Sequence, residues 1–159
     1  MRAIVITVSD RVSRGEAEDR SGPAAEEMLT DLGFEVAAVV VVPDGIDSVS
    51  GALAAAIDRA GLVVTSGGTG FSPRDLTPEA TLAVIERPAP GLAEAMRAAT
   101  LGANPHGMLS RAVAGIAGRT LIVNLPGSER GVRESLAVIG PALRHAVELL
   151  IDRETDHNA

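Results

Sequence analysis

The 159-residue sequence contains no cysteine, lysine, tryptophan or tyrosine. Without cysteine, the chain has no disulfides, no thiolate nucleophile and no cysteine-ligated metal, which is typical of cytoplasmic proteins. Its 14 basic residues are all arginines, which excludes the P-loop, because a lysine follows the last glycine of that motif. We therefore expect a cytoplasmic protein that holds any anionic ligand with backbone N–H groups, a few arginines or a metal ion.

Aromatic residues and long apolar runs are also scarce. Phe34 and Phe71 are the only residues of the Phe, Tyr and Trp types, and the formal net charge is −7. Proteins that bind single-stranded nucleic acid stack bases on aromatic rings, and nucleic-acid surfaces are basic, so we expect no nucleic-acid partner. The longest strongly apolar run, residues 36–42, is too short to cross a bilayer, and we expect no membrane association.

Apolar, β-branched runs alternate with helical patterns along the chain. Strands are predicted at residues 3–8, 34–42, 62–65 and 120–123, with a further short segment at 112–116. Between them lie a loop and a series of helices, followed by a polar tail: a loop at residues 9–20, helices at 21–32 and 46–60, from Thr77, from Gly91, at 132–138 and at 141–151, and the tail at 152–159. This alternation predicts one α/β domain over residues 1–159 with a mainly parallel, twisted sheet. The last two strand segments are close in sequence, so one of them can run antiparallel.

A glycine-rich loop, Ser66-Gly67-Gly68-Thr69-Gly70, follows the third predicted strand. Glycines let the backbone turn sharply and approach a ligand closely, and their N–H groups can converge on an anion. The alternative is an ordinary turn into the next helix, for which Thr77 is the predicted N-cap and Pro78 the first helical residue. The dinucleotide-binding fingerprint is excluded, because Pro73 stands where its third glycine would be.

Four loops that directly follow predicted strands should meet at one edge of the sheet. Ligands of open parallel sheets bind beyond the carboxyl ends of the strands. The loops are Ser9-Asp10, Pro43-Asp44, residues 66–75 and residues 124–128. Their convergence predicts a binding or catalytic site at that edge.

Eight segments of the chain, taken in order, resemble the molybdopterin-binding family, which includes molybdopterin adenylyltransferase and the gephyrin G domain. The segments are TVSD at residues 7–10, DRSG at 19–22, VPD at 42–44, SGGTG at 66–70, RDLTPE at 74–79, PGLAEAMR at 90–97, MLSRA at 108–112 and NLPGS at 124–128. The resemblance implies a three-layer sandwich and a homotrimer that transfers an adenylyl group from Mg-ATP to molybdopterin. Other molybdenum cofactor biosynthesis proteins are the further partners that it implies.

The same resemblance implies roles for particular residues. Asp44 and Asp75 match the essential acidic positions, and we expect them to be catalytic and to bind Mg²⁺. The expected substrate- and nucleotide-binding residues are Ser9, Ser66, Gly67, Gly68, Thr69, Gly70, Ser110, Arg111, Asn124, Pro126, Gly127 and Ser128. A magnesium ion held by two carboxylates would neutralise phosphate charge in a chain without lysine. Arginine is also suited to bidentate phosphate contact, and Arg20, Arg74 and Arg111 adjoin the loops.

Each of these residues has a structural alternative. Asp44 can be a turn former in Pro-Asp-Gly, Asp75 and Ser128 can cap helices, and Ser110 can be a polar residue at the start of a strand. Arg111 can pair with a surface carboxylate. At the level of function, the alternative is a protein of the same fold that binds molybdopterin without adenylylating it, as a carrier or an interaction module.

Overall fold

The computed structural model describes residues 1–151, and this part of the chain contains six strands with helices between most of them. The strands are β1 (Arg2–Val8), β2 (Glu35–Val42), β3 (Leu62–Ser66), β4 (Arg87–Pro88), β5 (Ala114–Ala117) and β6 (Thr120–Leu125). The helices are α1 (Asp10–Ser13), α2 (Ser21–Asp31), α3 (Ile46–Ala56), α4 (Thr77–Leu82), α5 (Pro90–Thr100) and α6 (Glu129–Ile151), and a 3₁₀ helix spans Pro105–Leu109. None of these helices is long and apolar enough to span a bilayer.

All six strands form one sheet in the order β2-β1-β3-β6-β5-β4. Strands β2, β1, β3 and β6 pair in parallel, whereas β5 is antiparallel to both of its neighbours. The reversal occurs because only Gly118 and Arg119 connect β5 to β6, and a two-residue connection can join only antiparallel strands. The predicted fold class is therefore confirmed, including the antiparallel strand.

Helices cover both faces of the sheet, which gives three layers. On one face, alternate residues of the central strands, such as Val5 and Val64, pack against α2, α5 and α6. On the other face, the intervening residues, such as Ile6 and Val63, pack against α3 and α4. Both faces of β1 and β3 are buried, which explains why these strands have nearly unbroken apolar sequences.

Some predicted boundaries are wrong. Residues 9–20, predicted as a loop, contain the short helix α1, which Ser9 caps by accepting a hydrogen bond from the Val12 N–H at 3.2 Å. The helix predicted at 46–60 ends at Ala56, because Ile57 has an extended ψ of 138°, and Asp58 then adopts a left-handed backbone with φ of 63°. The predicted tail at 152–159 lies outside the described residues.

The two helices predicted at 132–138 and 141–151 form one continuous helix, α6, with Pro141 inside it. A proline removes one intrahelical hydrogen bond and usually interrupts a helix. Here Leu136, Ile139 and Leu143 are all buried against the sheet on both sides of the proline. Residues on both sides of Pro141 thus hold the helix against the sheet, and the helix continues although one hydrogen bond is missing.

The carboxyl ends of the four parallel strands lie side by side. Val8 pairs with Val42, and Thr7 pairs with Ser66, which in turn pairs with Leu125. The loops that follow these residues therefore leave the sheet at one edge, as the sequence predicts.

Candidate functional site

A cleft of about 330 Å³ opens at this edge, beyond the ends of β1, β3 and β6. Four of the predicted binding residues line it, together with polar residues at the start of α2. The lining includes Ser9, Ser66, Gly127 and Ser128 from the predicted set, and Asp19 and Ser21 in addition. Thus three of the strand-end loops predicted to converge contribute to one cavity.

The serines of the cleft also hold the local backbone in place. Ser66 Oγ donates a hydrogen bond of 2.9 Å to the Pro126 carbonyl, which joins the end of β3 to the loop after β6. Ser128 Oγ accepts a hydrogen bond of 3.0 Å from the Gly131 N–H in the first turn of α6. The helix-capping alternative for Ser128 is therefore confirmed, and its side chain faces the cleft at the same time.

Asp19 is a cleft residue to which the sequence analysis assigned no role. Its carboxylate accepts hydrogen bonds from Thr7 Oγ1 at 2.8 Å and from the Gly22 N–H at 2.9 Å. It thereby joins the end of β1 to the first turn of α2. The DRSG segment at residues 19–22 was the available signal, but only the fold shows that its carboxylate faces Thr7.

The three loop glycines are required because the loop packs closely against the rest of the chain. A Cβ on Gly67 would lie 2.3 Å from the Val8 carbonyl oxygen, and one on Gly70 would lie 2.9 Å from Asp75 Oδ2. Gly67 and Gly68 also have positive φ angles of 105° and 66°, which side chains disfavour. The loop is therefore held between the end of β1 and the residues that precede α4.

Gly68 lies against both a predicted catalytic residue and α4. A Cβ at this position would lie 2.3 Å from Thr77 Oγ1 and 3.1 Å from Asp44 Oδ1. Thr77 is the first residue of α4, not its N-cap as predicted, because the N-cap position is Leu76. The Thr77 hydroxyl is buried and has no hydrogen-bond partner within residues 1–151.

The structure places both predicted acids against the glycine loop, Asp44 beside Gly68 and Asp75 beside Gly70. Asp44 Oδ2 accepts a hydrogen bond of 2.8 Å from the Asp10 N–H, and Asp75 Oδ2 accepts one of 3.1 Å from the Ser72 N–H. Burial raises the pKa of the Asp44 carboxyl above its usual value, and the charges of Asp10 and Asp75 raise it further, against the lowering effects of the Asp10 N–H and Arg74. Neither acid lines the cleft of the serines.

Asp10 and Arg74 complete this acidic cluster. The sequence analysis placed Asp10 in one of the converging loops and Arg74 beside them, but assigned neither a specific role. The Arg74 guanidinium donates to both Asp10 carboxylate oxygens, at 2.8 and 2.9 Å, and to the Asp44 carbonyl at 2.9 Å. The hydrogen bond from Arg74 is the main reason that the pKa of the Asp10 carboxyl lies below its usual value. In return, Asp10 Oδ1 accepts from the Asp44 N–H at 3.1 Å, so the two aspartates bind each other's backbone.

Arg111, a predicted ligand-binding residue, directs its donors at the protein. Its backbone N–H and Nε donate to the Thr69 and Gly70 carbonyls, each at 2.8 Å. Its terminal nitrogens donate to the Asp75 carbonyl and to the Glu79 carboxylate on α4. The guanidinium thus joins the glycine loop to α4, as in the ion-pair alternative.

The sequence analysis predicted Asn124 in the loop after the strand, and this placement is wrong. Asn124 lies inside β6 with no exposed surface. Its side-chain amide donates to Thr65 Oγ1 at 3.0 Å and to Thr81 Oγ1 at 2.9 Å, and its carbonyl accepts from the Val113 N–H at 3.2 Å. These bonds join β3, α4 and the segment before β5. Asn124 therefore stabilises the sheet and does not reach the cleft.

The remaining predicted residues supply backbone or lie apart from the cleft. Thr69 is buried and contributes its carbonyl to Arg111, while Pro126 contributes its carbonyl to Ser66. Ser110 Oγ accepts from the Ala112 N–H at 3.3 Å, just before β5. The geometry therefore contains two polar regions, the serine-lined cleft and the acidic cluster, with the glycine loop between them.

Comparison with known proteins identifies the family of this chain. The family model described as "Probable molybdopterin binding domain" matches residues 4–145. The chain belongs to this family. A molybdopterin biosynthesis enzyme, MoaB, from Thermus thermophilus has 48% sequence identity and a TM-score of 0.89, with 94% of this chain and 95% of that chain covered.

Curated relatives of the molybdopterin-binding family include both short and long proteins. The molybdopterin adenylyltransferase of Helicobacter pylori (strain J99) is 40% identical over 154 residues, which cover 92% of this chain and 86% of the relative. Gephyrin of Dictyostelium discoideum is 41% identical over 157 residues, which cover 92% of this chain. The chain spans only 22% of the length of that gephyrin.

The Asn124 network predicts a large loss of stability on truncation. In Asn124→Ala, the Val113 N–H and the Thr65 hydroxyl would lose their partner in the core, so we expect the free energy of unfolding to fall by about 2–4 kcal/mol. Chemical denaturation would measure the change. Asn104→Ala is the control, because Asn104 is exposed and caps only the 3₁₀ helix; it should cost no more than about 1 kcal/mol. Equal losses in the two variants would contradict the assigned role of Asn124.

The Glu79–Arg111 ion pair predicts a pH-dependent contribution to stability. The hydrogen bond from Arg111 lowers the pKa of Glu79 from its usual 4.5. A lowered pKa stabilises the fold above the usual value, and this stabilisation is lost as the pH falls through the folded-state pKa. Glu79→Gln should therefore be less stable than the unmodified protein at pH 7, and the difference should shrink below pH 4.5. Thermal melting of both proteins between pH 7 and pH 3 would show this convergence, and a difference that stays constant over that range would contradict it.

Proposed function

We propose that the protein is a molybdopterin adenylyltransferase of molybdenum cofactor biosynthesis. The observation that carries the proposal is the position of the cleft and the acidic cluster on two sides of one glycine loop. A phosphate oxygen of molybdopterin attacks the α-phosphorus of ATP, and the bond from that phosphorus to the bridging oxygen of the β-phosphate breaks. Pyrophosphate leaves with the bonding electron pair, and adenylylated molybdopterin remains. The name of the Helicobacter relative supports this reaction.

The cleft and the cluster divide the two substrates between them. The cleft, with a volume of about 330 Å³, has the size of a small-molecule site and receives molybdopterin through Ser9, Ser66, Gly127 and Ser128. The cluster of Asp44 and Asp75 receives the triphosphate of ATP. The glycine loop, Gly67 to Gly70, brings the two reacting phosphates together, because one of its ends lies against the cleft and the other against Asp75. Alignment of this kind supplies much of the rate in phosphoryl transfer.

The acidic cluster fits a magnesium–nucleotide complex. Within residues 1–151, no group of three or more His, Cys, Asp and Glu side chains is arranged to hold a metal alone. Magnesium commonly takes one or two protein carboxylates and completes its coordination with phosphate oxygens and water. Asp44 and Asp75 supply two such carboxylates, each held by a backbone N–H. When bound, the ion neutralises charge on the phosphates during transfer.

An assay with purified molybdopterin and Mg-ATP tests the proposal. Release of pyrophosphate and formation of adenylylated molybdopterin, in equal amounts, is the expected result. Binding of molybdopterin without turnover would favour the alternative function, a carrier or interaction module of the same fold. The half-buried carboxylates of Asp44 and Asp75 beside the glycine loop favour the enzyme, because binding of the pterin alone does not need them.

Removal of either carboxylate charge should abolish most of the activity. We expect Asp44→Asn and Asp75→Asn each to lower adenylyl transfer by at least about 100-fold, which is typical when a group that stabilises developing charge is lost. The double variant should lose much less than the product of the single losses, because the two act as one unit. Asp47→Asn, which removes a charge from the exposed first turn of α3, should retain activity. Near-full turnover in either single variant would remove that aspartate from the mechanism.

We also propose that the protein forms a homotrimer and acts with other molybdenum cofactor biosynthesis proteins. Leu101, Met108 and Leu109 are exposed apolar side chains at the end of α5 and in the adjoining 3₁₀ helix, and such a patch supports burial against another subunit. Sedimentation equilibrium at micromolar concentration should give three times the chain mass. Met108→Glu should shift the equilibrium towards the monomer, and a monomeric unmodified protein would contradict the proposal.

A further inference from the structure

Of the three arginines that adjoin the strand-end loops, one lies where the proposed function puts the nucleotide. ATP and molybdopterin are both anionic, and the chain has no lysine. Of the three arginines that adjoin the loops, Arg111 has its donors directed at the glycine loop and α4. Arg20 lines the cleft, with its Nε 3.6 Å from a Glu18 carboxylate oxygen. Arg74 is therefore the arginine that lies at the acidic cluster.

Arg74 is held firmly on one side and open on the other. Nε and Nη2 donate three hydrogen bonds, two to the Asp10 carboxylate and one to the Asp44 carbonyl. Nη1, in contrast, donates to no residue of the described chain (1–151), and 61% of the side chain is exposed. The fixed part of the guanidinium thus determines where the free N–H groups of Nη1 lie.

We propose that Arg74 binds the polyphosphate of the nucleotide through Nη1, and that Asp10 is the positioning residue that orients its guanidinium. This inference rests on the proposed function, which puts a nucleotide triphosphate at Asp44 and Asp75. A planar guanidinium is suited to phosphoryl oxygens, and its hydrogen bonds to a charged acceptor are stronger than those of neutral donors.

A fixed acceptor distinguishes this arrangement from an ordinary surface ion pair. An exposed arginine–carboxylate pair contributes little to stability, because holding two mobile side chains offsets the attraction. Here the acceptor is itself fixed, since Asp10 and Asp44 bind each other's backbone N–H groups at 2.8 and 3.1 Å. The guanidinium is thus oriented before ligand arrives, and less conformational entropy is lost on binding.

Binding of inorganic tripolyphosphate, measured by calorimetry with and without Mg²⁺, tests the proposal without turnover. Arg74→Gln should weaken tripolyphosphate binding by about 10- to 100-fold, as expected for lost hydrogen bonds to a charged acceptor. Arg144→Gln is the matched control, because Arg144 is also 61% exposed and pairs with a carboxylate, on α6. Equal affinities in Arg74→Gln and Arg144→Gln, or no binding by the unmodified protein, would overturn the proposal.

The orientation by Asp10 is tested by two further variants. Arg74→Lys keeps the charge but loses the planar guanidinium with its several N–H donors. Its tripolyphosphate affinity should therefore lie between those of Arg74→Gln and the unmodified protein. Asp10→Asn should weaken binding less than Arg74→Gln does, and the double variant should bind no more weakly than Arg74→Gln alone, because Asp10 acts through Arg74. Unchanged or tighter binding in Asp10→Asn would remove Asp10 from this role.

The outcomes separate this inference from the proposed function. If Arg74→Gln loses tripolyphosphate binding while the unmodified protein makes no adenylylated product, the phosphate site stands and the enzyme proposal fails. If the unmodified protein turns over and Arg74→Gln binds tripolyphosphate normally, the enzyme stands and the role of Arg74 is refuted.

Discussion

The parallel pairing of four strands is the constraint on which the site depends. Because β2, β1, β3 and β6 run in the same direction and end nearly level, their loops share one edge of the sheet. Each polar group of the site follows one of these strand ends by a few residues or is held by a group that does. The cleft and the acidic cluster are each built from several of these loops. The site therefore exists only when the central strands are in register.

The glycine loop shows how backbone conformation determines chemistry at this edge. The sequence suggests that its glycines leave room for a ligand, but Gly67, Gly68 and Gly70 leave room first for Val8, Thr77, Asp44 and Asp75 of the same chain. The loop can therefore pass between two polar regions without displacing either carboxylate. Arg111 and Glu79 hold its far end against α4, so an ion pair outside the cleft contributes to the placement of groups inside it.

Some features of the fold and site can be predicted from the sequence because they depend on local pattern. Strands β1 and β3 are apolar on both faces, and this alone predicts a covered parallel sheet. The rule that ligands bind beyond parallel strand ends then brings Asp44 and Asp75 to one edge, although 30 residues lie between them in the chain. Neither prediction required knowledge of a distant side-chain contact.

Other features depend on contacts between distant residues and are not visible in the sequence. Arg74 and Asp10 are 64 positions apart, and nothing in either segment shows that they pair. Asn124 follows an apolar run and precedes a proline loop, so it has the pattern of a loop residue, yet β6 extends past it into the core. The continuity of α6 through Pro141 likewise follows from burial of the helix against the sheet, which a local breaker rule does not contain.

The two lateral edges of the sheet differ in how readily they could accept another strand. At one side β4 has only two residues, one of them Pro88, which has no N–H to donate. At the other side β2 has eight residues, and within the described chain no strand pairs with its outer side. Val40 and Val41 near its end are each 40% exposed. A long apolar edge of this kind is where non-native strand pairing and aggregation begin, so β2 and not β4 is the edge of this sheet that is open to an added strand.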